Sequence, residues 1–170
     1  LDLGFNATGD RGAHALAQLL ALSRTLSVLY LSGNCIGAAG FRSMSNALRD
    51  NPALTALHVS GNGCGPDGAA CLADALASNK TLTTLYTSGN QIMAAGAACI
   101  AQAMAGNHTL RRVCASDNRV GDQGCFALAQ ALQSHRNVEV LELSFNGISA
   151  ASLERLPPPP PLPSSLRAPL

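Results

Sequence analysis

The sequence is poor in the residues on which most binding surfaces and catalytic sites depend. Tryptophan is absent, aromatic residues make up 4% of the 170 residues, and charged residues make up 12%. Soluble domains are commonly about 25% charged, about twice the fraction found here. Because aromatic residues are few, Ala and Leu must fill much of this interior. The net charge of +1 argues against a nucleic-acid partner, because a protein that neutralises phosphates needs a basic surplus.

Long apolar runs and targeting signals are also missing. No apolar stretch approaches the roughly 20 residues that span a bilayer, and no basic cluster offers attraction to a membrane surface. The opening residues, Leu1 to Gly4, do not resemble a signal peptide. We therefore expect neither a membrane nor a nucleic acid as partner. Because the sequence opens in the middle of the repeat described next, we also expect it to be part of a longer chain.

A repeat of 28 residues runs through most of the sequence. Asparagine recurs at this exact interval, at positions Asn6, Asn34, Asn62, Asn90, Asn118 and Asn146. Before each Asn, apolar residues are spaced three and then two apart, which is strand-like alternation. After it, an Ala-rich stretch places apolar residues at helical intervals. Units of this size cannot bury their apolar faces alone, so the pattern predicts a stacked α/β array with one parallel sheet and helices outside.

The repeat resembles a known family. Residues 26–34 read LSVLYLSGN, and the pattern LxxLxLxxN with a following Ala/Leu helix is similar to the ribonuclease-inhibitor type of leucine-rich repeat. That type occurs in ribonuclease inhibitor, in Ran GTPase-activating protein and in the sensor ends of NOD-like receptors. The resemblance covers residues 1–156, as about five repeats plus a truncated last one. It implies a horseshoe-shaped solenoid with parallel strands on the concave face and helices on the convex face.

The asparagine column is interpreted as structural. In the resembled family this side chain bonds the backbone of neighbouring turns, so we expect all six asparagines, Asn6 included, to be buried. A second set, Asn51, Asn79 and Asn107, recurs between helix and strand, where we expect it to cap the turn. Met93 takes a place that is glycine in four other units. Either that turn does not require positive φ, or Met93 is strained.

The chemistry-bearing residues form no catalytic or metal-binding pattern. Six cysteines occur without a C-x-x-C pair, and four histidines are scattered, so neither a zinc site nor a nucleophile–base pair assembles. The glycines recur once per repeat and do not form a phosphate-binding loop. We predict a protein that is not an enzyme, that uses no metal or cofactor, and that works with reduced thiols in the cytoplasm.

The concave face is the predicted binding surface. Tyr30, His58 and Tyr86 occupy the same position of three consecutive strands, and Arg112 and Glu142 lie further along. Exposed aromatic side chains are common interface hot spots, although Tyr also simply favours strands. The leading hypothesis is a protein–protein interaction module, as an adaptor or ligand-sensing scaffold.

Two alternative functions follow from the resemblance. One is a small-GTPase regulator like the Ran-specific one, and the other is an inhibitor of the ribonuclease-inhibitor type. An inhibitor of that type should have an acidic inner face, whereas the charges of the concave columns nearly balance.

The last residues differ from the rest in composition. Residues 157–170 contain Pro at 157–161, 163 and 169, which predicts a polyproline II tail without packed structure. Arg155, Pro158 and Pro161 fit the R-x-x-P-x-x-P spacing that SH3 domains bind, and a Leu followed by prolines also resembles profilin and EVH1 ligands. A solvated linker is the alternative interpretation.

Overall fold

The chain alternates short strands with longer helices. A computed structural model describes residues 1–134 and 137–155. The helices are α1 (Gly9–Leu22), α2 (Ala38–Arg49), α3 (Gly65–Ser78), α4 (Met93–Gly106), α5 (Gly121–Ser134) and α6 (Ala150–Leu153). The strands are β1 (Val28–Tyr30), β2 (Ala56–His58), β3 (Thr84–Tyr86), β4 (Arg112–Cys114) and β5 (Val140–Glu142).

The five strands form one parallel sheet in the order β1-β2-β3-β4-β5. Each strand pairs with the residue 28 positions later, so that Leu29 lies opposite Leu57 and Leu57 opposite Leu85. Strand neighbours in sequence are therefore neighbours in space, and each connection between them contains a helix. The structure confirms the predicted α/β solenoid, with parallel strands on one side and helices on the other.

The core lies between the sheet and the helices. The middle residue of β1 to β4 faces the helices, and Leu29, Leu57, Leu85 and Val113 are at most 2% exposed. Each such Leu stabilises the array by roughly 2 kcal/mol relative to an exposed one. Neighbouring helices pack closely because Gly96 has no side chain. A Cβ there would lie 2.8 Å from the Ala69 Cβ and 2.7 Å from Ile92 Cγ2.

Five of the six column asparagines tie each repeat to the one before it. Asn34, Asn62, Asn90, Asn118 and Asn146 are at most 6% exposed. The Nδ2 group of each donates to the carbonyl 31 residues earlier. The Oδ1 atom of each accepts from the N–H 26 residues earlier. These bonds satisfy backbone groups that the turns would otherwise leave buried without partners.

The prediction that Asn6 is buried is wrong. This side chain is exposed, and it donates only to the nearby carbonyls of Leu3 and Gly4. The buried asparagines are covered and bonded through the preceding repeat. In the described residues Asn6 has no such contact, so it shares the column in sequence but lacks its bonds.

A second file of asparagines lies at the opposite end of the strands. Asn51, Asn79 and Asn107 are at most 3% exposed. Each donates to the last turn of the helix in the preceding repeat, at the carbonyls of Leu20, Leu48 and Leu76 respectively. Each Oδ1 accepts from N–H groups two and three residues later in its own turn. The predicted capping role is confirmed, and it also joins consecutive repeats.

The helix starts adopt two arrangements. Asp10 Oδ1 accepts from the Gly37 N–H at 2.7 Å and from the Gly40 N–H at 3.0 Å, and Gly37 has φ −91°. Asp122 binds the Ser149 N–H in the same way at 2.7 Å, and Ser149 has φ −86°. A carboxylate 27 residues upstream thus caps the next helix at its N-terminus.

Where that carboxylate is absent, the residue at the helix start is left-handed. Residues Ala38, Pro66 and Ala94 stand in place of the Asp, and Gly65, Met93 and Gly121 have φ of 61°, 60° and 61°. Their N–H groups donate instead to the backbone carbonyls of the column asparagines in the next repeat, Asn90, Asn118 and Asn146 respectively. Met93 is therefore the strained case of the two alternatives that the sequence left open.

The last unit is short. Helix α6 has 4 residues, against 12 to 14 in the preceding helices. Residues 156–170 lie outside the described residues, and so do Pro158 and Pro161 of the predicted tail motif. Arg155 is exposed and is the last residue before them.

Candidate interaction surface

Three rings form a continuous stack on the concave face. Strand pairing places Tyr30 opposite His58 and His58 opposite Tyr86. Ring centroids are 4.3 Å apart at both steps, with interplanar angles of 27° and 12°. Tyr30 is 40% exposed, and the other two are partly exposed. We name Tyr30, His58 and Tyr86 the aromatic ridge.

The ridge offers ring edges to solvent, because stacking covers the inner faces. Both faces of the His58 imidazole lie against a tyrosine ring. Within the described residues, neither the two phenol hydroxyls nor the imidazole nitrogens make a hydrogen bond. Burial lowers the pKa of His58, against a smaller opposing effect of the Asp2 carboxylate. The ring is therefore neutral near pH 7, and the ridge carries free but uncharged polar tips.

Small side chains flank the ridge on both sides. Val28, Ala56 and Thr84 lie on one side, partly buried. Ser32, Ser60 and Ser88 lie on the other side, also partly buried. Their hydroxyls make no hydrogen bond among the residues that the structure describes. The three rings therefore stand above an uncharged floor that runs across three repeats.

Charged residues border this floor at both ends, with Asp2 next to Tyr30 at one end and two ion pairs at the other. Arg112 Nη1 lies 3.5 Å from Glu142 Oε1, and Arg111 Nη1 lies 2.6 Å from Glu139 Oε1. All four side chains are about half exposed, so each pair contributes at most about 1 kcal/mol to stability. Cys114 lies between the ridge and Glu142 and is 1% exposed. Burial, more than Glu142, raises its pKa to about 11. The structure thus places Arg112 and Glu142 as partners of one another.

The sequence analysis missed two residues beside this surface. Phe5 and Phe145 are 87% and 88% exposed and left-handed, with φ of 55° and 58°. The Phe5 ring lies over Gly33, where an added Cβ would be 2.7 Å from its Cδ1 atom. A left-handed Phe costs about 1–2 kcal/mol. The signal was available, since both occupy the position before the column Asn that is glycine in three repeats.

The cysteines and other candidate groups do not converge on the ridge. All six cysteines are free thiols, and burial raises the pKa of Cys64 to about 12. In residues 1–134 and 137–155, no cluster of three His, Cys, Asp or Glu could hold a metal ion. None of the helices in those ranges is both long and apolar enough to cross a membrane.

Known structures share this architecture. One neighbour is actin-binding site 2 of leiomodin-1, with a TM-score of 0.72 and 19% identity over 84% of this chain and 82% of that chain. Another is the tropomodulin C-terminal domain of Caenorhabditis elegans, with a TM-score of 0.66 and 15% identity over 79% of this chain and 81% of that chain. At these identities the likeness shows the fold alone. No curated protein matches the chain.

The repeats also match a family model described as "Leucine Rich repeat". The matched residues are 22–45, 50–73, 78–101, 106–129 and 134–156, which together are more than half of the chain. The strand, asparagine column and helix of each unit fit the ribonuclease-inhibitor type of this repeat. The chain is therefore a member of the leucine-rich repeat family.

Proposed function

We propose that the chain is a protein–protein interaction module that holds a protein partner on its concave face. The observation that carries the proposal is the aromatic ridge, whose partly exposed rings stack at 4.3 Å. Stacked rings are held in one conformation by their neighbours, so a partner gains contact area at a small entropy cost. Repeat arrays of this kind provide an extended rigid surface on which exposed residues vary without disturbing the core.

The ridge favours a partner that contacts it through uncharged groups. Its free tips are two phenol hydroxyls and a neutral imidazole, which suit backbone or amide oxygens of the partner. A cation would need an open ring face, and only the two outer faces of the stack are not covered by a ring. Arg112 and Glu142 border the surface, and we assign them a role in orientation. The ridge spans two strand steps, roughly 10 Å, so it anchors a partner and is part of a larger contact.

The experiment compares the ridge with a matched convex surface. The chain is used as bait, and bound proteins are quantified for the wild type, for Tyr30→Ala with Tyr86→Ala, and for Arg42→Ala with Gln102→Ala. Arg42 and Gln102 are exposed on α2 and α4. We expect the ridge variant to lose partners that the convex variant keeps, while circular dichroism and melting stay similar. Partners that survive the ridge changes would contradict the proposal.

Defined proteins test the finer alternatives. Actin is the first probe because one structural neighbour is named for an actin-binding site, and co-sedimentation measures its binding directly. GTP hydrolysis by candidate small GTPases tests the regulator. Ribonuclease inhibition tests the inhibitor hypothesis. This hypothesis has the least support, because such an inhibitor needs an acidic inner face, whereas the charges here are paired at 2.6 and 3.5 Å.

We place this activity in the cytoplasm. The proposal rests on six free thiols, which a reducing compartment preserves. Thiol titration of denatured, unreduced protein should count six groups, and a lower count would point to an oxidising compartment. An SH3, profilin or EVH1 domain as a partner of the tail motif stays a prediction, since Pro158 and Pro161 lie outside the described residues.

A further inference from the structure

The aromatic ridge presents hydrogen-bond donors at a fixed spacing. Its rings stand on adjacent strands, and the centroids of Tyr30, His58 and Tyr86 are 4.3 Å apart at each step. The two tyrosines are therefore separated by two strand steps, roughly 9–10 Å. Their hydroxyls make no hydrogen bond within the described residues, and a phenol hydroxyl can donate to a carbonyl oxygen. A ligand with two free carbonyls at this spacing fits the ridge.

One backbone conformation has this spacing along one side. The polyproline II helix rises about 3.1 Å per residue with three residues per turn, so residues i and i+3 lie about 9.3 Å apart on the same side. Residues on the same side of an extended strand are roughly 6.7 Å apart, and the carbonyls of an α-helix are already bonded within the helix. Polyproline II has no internal hydrogen bonds, so its carbonyls are free to accept.

The column beside the ridge suits proline side chains. Val28, Ala56 and Thr84 lie next to the rings on the same three strands, and they are partly buried and uncharged. Small side chains of this kind leave room for pyrrolidine rings against the sheet. Proline also has no backbone N–H. A proline-rich backbone therefore leaves no donor of its own unpaired when it faces the hydroxyl donors of the ridge.

An unpaired carboxylate lies at one end of the ridge. Asp2 precedes Tyr30 in the same column, and the two residues pair as a parallel bridge. The Asp2 carboxylate accepts from the Gly4 N–H at 2.9 Å, and it forms no ion pair within residues 1–134 and 137–155. At the other end Glu142 lies 3.5 Å from Arg112. The charge at the Asp2 end is therefore available to a cation of the ligand, whereas the charge at the other end is balanced.

We propose, as an extension that rests on the proposed function, that the ridge binds a proline-rich segment of a separate partner protein. The segment is in the polyproline II conformation, and a basic residue flanks its prolines at the Asp2 end. Carbonyls of residues i and i+3 accept from the hydroxyls of Tyr30 and Tyr86, and the prolines lie on the small neighbouring column. Such a segment loses little entropy on binding, because its conformation is already fixed.

The chain contains its own reporter for this binding. Its two tyrosines both belong to the ridge, and it has no tryptophan, so tyrosine fluorescence reports on the ridge alone. The probe is an acetylated and amidated peptide of six prolines, which is about 19 Å long and has no aromatic residue. A peptide of alternating Gly and Ser with the same length is the control. We expect the proline peptide to change the fluorescence saturably and the control to leave it unchanged.

Removing the hydroxyls tests the proposed hydrogen bonds. Tyr30→Phe and Tyr86→Phe each delete one donor, keep an aromatic ring in place and leave one tyrosine as reporter. Each substitution should weaken binding of the proline peptide about five-fold. Arg42→Ala, on the exposed side of α2, is the matched control and should leave the affinity unchanged.

The free carboxylate gives a second prediction. A peptide with one Arg beside the six prolines should bind about three-fold more tightly than the same peptide with Glu there. Arg and Glu are placed at either end in separate peptides, because the spacing of the hydroxyls does not fix the direction of the backbone. The preference is expected in one direction, and Asp2→Asn should remove it.

Four results would overturn the inference. The first is tyrosine fluorescence that the proline peptide does not change, and the second is undiminished binding to both Tyr→Phe variants. The third is equal affinity for Arg and Glu in both directions. The fourth concerns the chain's own prolines at 157–161, which are replaced by alternating Gly and Ser in a further titration. A gain in affinity would then assign the ridge to the chain's own prolines and not to a partner.

A competition experiment separates this inference from the proposed function. In the capture experiment described above, an excess of the six-proline peptide should release the partners that the variant with Tyr30→Ala and Tyr86→Ala loses. If those partners stay bound, the concave face still holds a protein and only the proline-rich class is wrong. If the alanine variant keeps all partners, the proposed function itself is wrong.

Discussion

Consecutive repeats are joined in one way at the ends of the strands and in two ways at the starts of the helices. At the strand ends, five repeats use the same pair of asparagine bonds, to a carbonyl 31 residues earlier and an N–H 26 residues earlier. At the helix starts, a carboxylate caps α2 and α6, whereas α3, α4 and α5 begin at left-handed residues. The φ angle at the start of a helix thus differs according to whether the preceding repeat supplies a carboxylate.

The largest expected effect concerns the strand ends. Asn118→Ala removes the bonds of Oδ1 to the N–H groups of Asn90 and Ile92 and the bond of Nδ2 to the Thr87 carbonyl. The two N–H groups become buried without partners, while the Thr87 carbonyl keeps its bond from Asn90 Nδ2. We therefore expect the free energy of unfolding to fall by about 3 kcal/mol. Asn6→Ala is the control and should change it by less than about 0.5 kcal/mol, because Asn6 is exposed. Equal losses in urea denaturation would mean that position in the column, and not bonding, determines the effect.

The helix starts should respond less. Asp10→Ala removes the carboxylate from the Gly37 and Gly40 N–H groups, and we expect a loss of about 1.5 kcal/mol. Gly37 can adopt the left-handed arrangement seen at Gly65, which limits the loss. Asp67→Ala is the matched control, since Asp67 also lies in a first helical turn but one position away. If Asp67→Ala lowered the free energy of unfolding as much as Asp10→Ala, the helix dipole alone would explain the effect.

A gain in stability should follow from relieving the strained helix start. Met93→Gly removes the cost of a side chain at φ 60°, so the free energy of unfolding should rise by about 1 kcal/mol. Ser149→Gly changes the same position in the last unit, where φ is −86°. There we expect no gain, because glycine adds freedom to the unfolded chain and removes the Ser149 hydroxyl bonds to Asp122 and to the Ser152 N–H. Thermal denaturation of both variants measures the difference, and a gain at both sites would argue against strain as the cause.

The smallest effect concerns the His58 side chain, which is held by stacking between the two tyrosine rings and makes no hydrogen bond within the described residues. Burial between Tyr30 and Tyr86 lowers the pKa of His58, while Asp2 opposes the shift. The unfolded chain then takes up the proton more readily, so stability falls as pH drops below about 6.5 and is fully present above it. Tyr86→Ala uncovers one face and should raise the pKa of His58. NMR titration of the imidazole protons tests this, and an unchanged pKa would show that the stack does not desolvate the ring.

Much of the architecture could be predicted from the 28-residue period, because each unit repeats one strand, one turn and one helix. The parallel register and the buried column from Asn34 to Asn146 follow from that period alone. The exposure of Asn6 and the two helix starts could not be predicted in this way. They depend on contacts with a neighbouring unit that the unit's own sequence does not contain, as Gly37 depends on Asp10.

The alignment of the three aromatic residues was also predictable, but the orientation of their rings was not. Equivalent positions on neighbouring strands place Tyr30, His58 and Tyr86 in line. Whether the rings stack or splay depends on side-chain torsions that the spacing leaves free. Stacking at 4.3 Å turns the edges outward, so the groups offered to a partner are the phenol hydroxyls and the imidazole nitrogens.

The asparagine bonds have a consequence for the length of the chain. Every link reaches back a fixed 26, 28 or 31 residues, so each unit depends on one predecessor and on nothing further away. Inserting one whole copy of residues 62–89 would re-create every bond type and extend the sheet by about 4.8 Å. An insertion of any other length would shift the amide groups away from their partners. The array can therefore grow or shrink in whole units, and the concave surface can be resized without redesigning its core.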